Sequence, residues 1–254
     1  AITSAVIIAA LCSAIIWNVV PWYFGWHSST SHALIGGLIG AVGVSAGIDT
    51  INLDGMTKVL VALFLSPILG LVLGYLLLKL IYFLARGATP RINAFFKRGQ
   101  WVTSLALALS HGTNDAQKTM GIIAMAMVTT GFADEFHVPW WVVVLSASAI
   151  ALGTLSGGWR LIETLGGKFF KIRPVHAFGS QLTSASVILG AALLGGPVST
   201  TQVVSSSILG AGSADRVSKV RWTVARDIAV AWLLTIPVSA LMAAGFFLLV
   251  DQVL

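Results

Sequence analysis

A chain of 254 residues in which 57% are apolar and only 9% are charged cannot clothe a water-soluble surface, for which about 25% charged residues are usual. Its mean hydropathy of +0.92 points to an all-α integral membrane protein, since no stretch alternates with the period of two that a membrane barrel needs. The net charge of +6 does not signal nucleic acid: of fifteen Lys and Arg, all but Lys58, Lys79 and Lys118 fall in three short loops, the distribution that holds basic loops in the cytoplasm.

Residues 4–24 form an apolar segment long enough to cross about 30 Å of hydrocarbon. A polar break from Gly25 to His32 leads into a Gly-rich run at 33–48, which is short for a span and suits a re-entrant or broken helix. Residues 49–57 carry two acids and no base and read as external. A long span at 58–85, with Pro67 and Gly70 inside it, ends at the first basic loop, 86–100. The apolar stretch 101–130 follows, then an external acidic loop marked by Asp134, Glu135 and His137. Residues 139–156 cross back to the second basic loop, 158–177, and 178–194 cross outward to a polar run from Gly195 to Gln202. A short segment at 203–212 meets the third basic loop, 213–227, and 228–250 make the last span. This is a multi-pass protein of the inner (plasma) membrane, with loops 86–100, 158–177 and 213–227 cytoplasmic. Most of the nine Trp flank spans, as interfacial belts do.

Within 101–130 lies a polar island, Ser110-His111-Gly112-Thr113-Asn114-Asp115-Ala116-Gln117-Lys118. An Asp or Lys at a membrane helix centre costs about 2.5–3.5 kcal/mol, so such groups persist where they face a cavity and have partners. Asp115 is suited to hold a coupling cation or a proton. It also stands three residues before Lys118, on the same helix face, where a structural pair forms equally well. His111 fits either a proton relay or a hydrogen-bonded packing residue.

Two serine/threonine segments repeat in one register. Ser29-Thr30-Ser31-His32 falls on Ser199-Thr200-Thr201-Gln202 after a shift of 170 residues, and Gly25 on Gly195, Gly40 on Gly210 and Pro67 on Pro237 by the same shift. The loop after the first copy is acidic and that after the second is basic, so the copies are expected upside down, the pattern of secondary transporters whose site lies near the midplane. Residues 1–85 then form the later part of a first inverted repeat and 101–254 the second, joined by loop 86–100. The same shift places the counterpart of Asn114-Asp115 about 55 residues ahead of Ala1, so the first repeat's Asn-Asp motif is expected upstream of this chain. Each Ser/Thr segment opens a short helix, where backbone N–H groups and the positive end of the dipole suit an oxyanion. Ordinary N-capping uses the same residue types.

Together these residues resemble the inorganic phosphate transporter (PiT) family, and its bacterial low-affinity permeases in particular. The likeness rests on His111-Gly112-Thr113-Asn114-Asp115 with its continuation Ala116-Gln117-Lys118-Thr119-Met120-Gly121, on Pro197-Val198-Ser199-Thr200-Thr201, and more loosely on His27-Ser28-Ser29-Thr30-Ser31-His32. The resemblance implies a symporter, not an enzyme, that takes up orthophosphate with a cation. Its substrate residues would be Ser29, Thr30, Ser31, Asn114, Asp115, Ser199, Thr200 and Thr201, and its coupling-ion residues Asn114, Asp115 and Lys118. Many family members carry an asparagine where this chain has Lys118. That departure favours coupling to H+, or carriage of a divalent metal–phosphate complex, over Na+. Besides phosphate the expected partner is the lipid bilayer, with a homodimer compatible and no nucleic acid, resident metal or cofactor expected. Sulfate, also a tetrahedral oxyanion, is the rival substrate, and a non-transporting membrane subunit is the rival role.

Overall fold

The computed structural model describes residues 2–24, 28–163 and 169–252. The part of the register carried by Gly25, and the residues Trp26, His27 and Lys168, lie outside them. Every regular element among the described residues is helical: α1 (Ser4–Tyr23), α2 (Thr30–Ser45), α3 (Leu53–Leu84), α4 (Ile92–Thr129), α5 (Trp140–Glu163), α6 (Pro174–Leu193), α7 (Thr200–Asp215) and α8 (Trp222–Val250). Four of these, α1, α3, α8 and the Trp140–Trp159 part of α5, are long and apolar enough to cross a membrane. Their outward side chains, such as Leu76, Leu155 and Leu241, are exposed, as a lipid-facing surface requires.

The bounds of α1 and α6, and of α2 and α7, superimpose without a gap on the 170-residue shift. At 16 residues each, α2 and α7 are about 24 Å long, short of a bilayer's hydrocarbon. Both begin three residues earlier than their apolar runs, because Ser29 and Ser199 cap them and draw the polar residues that follow into the first turn. Helix α4 begins at Ile92, inside the expected loop 86–100, and runs 38 residues without a break. Its first turns are held by packing: Phe96 is buried with Leu78, Val175, Ala211 and Ala214, and its ring lies 5.5 Å from that of Phe178. Helix α8 likewise starts at Trp222, ahead of the expected 228.

The chain folds into two compact units. The first comprises Ala1–Lys58, Asp115–Gly158 and Ile228–Leu254, and the second Val59–Asn114 and Trp159–Asp227. Within the first, α2 packs on α1 and on α8, with Gly40 so close to the Ala240 carbonyl that a side-chain carbon there would overlap it. Ser13 Oγ donates to the Ser239 carbonyl at 2.6 Å, tying α1 to α8. Within the second, α7 packs on α6 and on α3, with Gly210 against the Leu71 carbonyl. Small residues let helix backbones approach closely where lipid supplies no hydrophobic drive. The two contacts match: Gly40 meets α8 just past Pro237, and Gly210 meets α3 just past Pro67.

Candidate functional site

Each unit carries its own buried polar cluster, built at the start of a short helix. In the first unit, Ser29 is the N-cap of α2 and its Oγ accepts from the His32 backbone N–H at 3.2 Å. The same Oγ lies 2.7 Å from His32 Nδ1. Ser29, Ser31 and His32 are all buried, whereas Thr30 between them is exposed, as expected for a first helical turn in which neighbours point about 100° apart.

Helix α4 contributes to this cluster from Asp115 onward. Lys118 Nζ donates to Asp115 Oδ1 at 2.9 Å and to Ser31 Oγ at 2.7 Å. The pair is largely buried, with side-chain exposures of 15% for Lys118 and 19% for Asp115. The i,i+3 pairing read from the sequence therefore forms, and it also reaches α2. A charged pair shielded this way is held by geometry and hydrogen bonds, since desolvation offsets much of the attraction.

In the second unit, Ser199 caps α7 by accepting from the Gln202 backbone N–H at 3.4 Å. Ser199, Thr200 and Gln202 are buried and Thr201 is half-buried. Asn114, itself buried, donates from Nδ2 to the Val198 carbonyl at 3.1 Å. That bond fixes the residue just ahead of the cap, where α7 begins. His111 lies half-buried on α4, three residues before Asn114. The boundary between the units thus falls between Asn114 and Asp115, so the paired motif supplies one side chain to each cluster.

Three features of this arrangement escape a linear reading. Ser31 and Lys118 are 87 residues apart, and Asn114 and Val198 are 84 apart, so no local spacing announces either contact. His32 was legible only as the counterpart of Gln202. In both clusters that third helical residue gives its backbone N–H to the cap, and His32 adds a side-chain bond to it.

Chemically, each cluster presents hydroxyls and a helix N-terminus within a buried setting, which is a means of holding a tetrahedral oxyanion. The first cluster adds a fixed ammonium–carboxylate pair. A profile of the phosphate transporter family matches residues 1–243. The chain is 43% identical over 252 residues to a Bacillus subtilis protein named "Probable low-affinity inorganic phosphate transporter", covering 98% of this chain and 76% of that protein. A Rhizobium meliloti protein of the same name is 45% identical over 254 residues, with 99% and 76% covered. Among solved structures, "The sodium-dependent phosphate transporter" superposes with a TM-score of 0.86 at 23% identity, covering 98% of this chain and 80% of that one. At that identity the likeness is one of fold.

Proposed function

The chain belongs to the phosphate transporter family, and on that premise we propose that it is a secondary transporter carrying inorganic phosphate into the cell with a coupled cation. The observation that carries this reading is the pair of buried clusters, each opened by a capping serine at the same place in a 170-residue register. In this proposal Ser29, Thr30, Ser31, Asn114, Asp115, Ser199, Thr200 and Thr201 handle the phosphate. The register supports two repeats, and the charge of the loops that follow them supports an inverted relation, with the basic loops in the cytoplasm.

The proposed coupling is to protons, or to a divalent metal carried with phosphate. Support comes from the 2.9 Å bond between Lys118 Nζ and Asp115 Oδ1. A built-in ammonium occupies the carboxylate that a sodium ion would otherwise use, and it supplies the charge that ion would bring. His111 is the candidate relay, half-buried on the same helix. The relative of known structure is described as sodium-dependent, so the comparison is a sharp one.

The test is uptake of labelled phosphate into proteoliposomes containing the purified chain. An inward pH gradient, or added divalent metal, is expected to drive it. Uptake driven by a sodium gradient at clamped pH would overturn the coupling, and uptake blocked by equimolar sulfate would overturn the choice of phosphate. Asp115→Asn is expected to abolish transport while leaving the protein monodisperse in detergent; undiminished uptake by that variant would remove Asp115 from the machinery.

A further inference from the structure

At the C-terminal end of α7, about 24 Å along that helix from its capping serine, the second unit holds a separate polar pocket. It is open on one side, has a volume of about 420 Å³, and is lined by Phe170, Lys171, Arg173, Asp215 and Lys219. Asp215 is the last residue of α7. It pairs with Arg173 Nη2 at 3.0 Å and with Lys219 Nζ at 2.8 Å. Three cations therefore line the pocket against one carboxylate, and Lys171, which is exposed, makes no ion pair with any described residue.

Arg173 is held in place by a chain of polar contacts behind the pocket. Its backbone N–H donates to His176 Nδ1 at 3.1 Å. That bond puts the ring hydrogen on Nε2, which lies 2.9 Å from Tyr82 Oη and donates to it. Arg173 Nη2 donates to the same phenol oxygen at 3.0 Å. Every bond of the guanidinium to described residues uses Nη2. Nε and Nη1 make no bond to a described residue and are separate single donors, because both paired edges of a guanidinium share Nη2. A guanidinium held in place presents such donors to phosphate oxygens as charge-assisted hydrogen bonds.

We propose that this pocket is a binding site for a phosphate monoester, held by the remaining N–H donors of Arg173 and by the Lys171 and Lys219 ammonium groups. The charge balance favours that class: the excess of two positive charges matches the roughly −1.5 to −2 carried by a phosphate monoester near neutral pH, which a single carboxylate would not. The volume leaves room for an organic group beyond the phosphate. Two sources share this chemistry, a soluble nucleotide and the headgroup of phosphatidic acid. The site lies within one unit and stands independently of the transport reading.

The experiment uses the purified full chain, with tritiated AMP in equilibrium dialysis and, separately, retention of phosphatidic acid against phosphatidylcholine in native mass spectrometry. Saturable binding of one probe is expected, AMP identifying the soluble source and phosphatidic acid the lipid. Lys171→Gln, which disturbs no described contact, should weaken it a few-fold, and Lys171→Gln/Lys219→Gln at least about tenfold. Phosphate uptake in the absence of the probe should be unchanged in both variants. Failure of both probes to bind the wild type at millimolar concentration would overturn the site. So would equal binding by wild type and the double variant.

Discussion

Lys118 is satisfied by a carboxylate one turn earlier on α4 and by the second residue of α2. Removing one member of a buried ion pair strands the other, at a cost of about 3–5 kcal/mol. Lys118→Met is therefore expected to lower the midpoint of thermal unfolding in detergent steeply. Asp115→Asn/Lys118→Met should recover most of that loss and still move no phosphate, whereas a double variant as unstable as Lys118→Met would show that the pair is not what the residue stabilises. His176 gives a prediction with a defined pH window. Burial, with the Arg173 guanidinium beside it, pushes its imidazole down from 6.5 to about 4. The other charged or titratable groups facing it are Asp215 and Lys219 and the Tyr82 phenol. The unfolded chain takes up the proton first as pH falls, so the contribution is whole above pH 6.5 and is lost between there and about pH 4. The Asp215 carboxyl, which burial pushes up but Lys219 and Arg173 together hold below its usual 3.8, acts only at lower pH. Between pH 7.5 and 5 the wild type should lose more thermal stability than His176→Gln, and parallel losses would contradict the assignment. At this scale the sequence was readable wherever partners share a helix, as Asp115 and Lys118 do. It was silent on Ser31 and Val198, whose contacts depend on how helices pack.

Among the helices, the close approaches at Gly40 and Gly210 carry the most testable weight. A side chain at either would meet backbone, which has nowhere to move, and forcing such an approach apart costs about 1–3 kcal/mol or more. Gly40→Val and Gly210→Val should each lower the unfolding midpoint. Gly153→Ala, in an exposed part of α5 with nothing near it, should raise stability by about 0.5–1 kcal/mol; equal effects at all three positions would mean that packing is not the reason. Helix number, the shortness of α2 and α7, and their common register were legible because apolar runs, glycines and capping serines are local signals. The starts of α4 and α8 were not. Lys97, Arg98 and Arg226 lie in their first turns, and a cluster of basic residues marks contact with water without marking the end of a helix. The burial of Phe96 among residues from α3, α6 and α7 is what distinguishes a helix from a loop there.

Across the whole chain, the 170-residue register does not coincide with the units of packing: each unit takes segments from both sides of residues 86–100. The reason is that α2 packs on α8, and α7 on α3, so a short helix from one part of the chain completes its unit with a long helix from the other. The two short helices are also anchored differently. Helix α7 is tied at its far end by Asp215 to Arg173 and Lys219, and just beyond it the Arg221 N–H bonds the Phe169 carbonyl at 3.0 Å while Val220 is buried. Helix α2 ends at Ser45 and Ala46 in backbone bonds of its own last turn, followed by Gly47 at φ 87° and an exposed Ile48–Thr50 turn. Local opening is easiest where buried contacts are few. In hydrogen–deuterium exchange, the amides of 46–51 should therefore exchange well ahead of those of 215–220, although both stretches contain the same kind of 3₁₀ turn. Arg173→Gln should speed exchange at 215–220 and leave 46–51 as it was. The chain would then hold two short helices of equal length, one frayed at its tail and one clasped, and a ligand that loosens the clasp would make them alike.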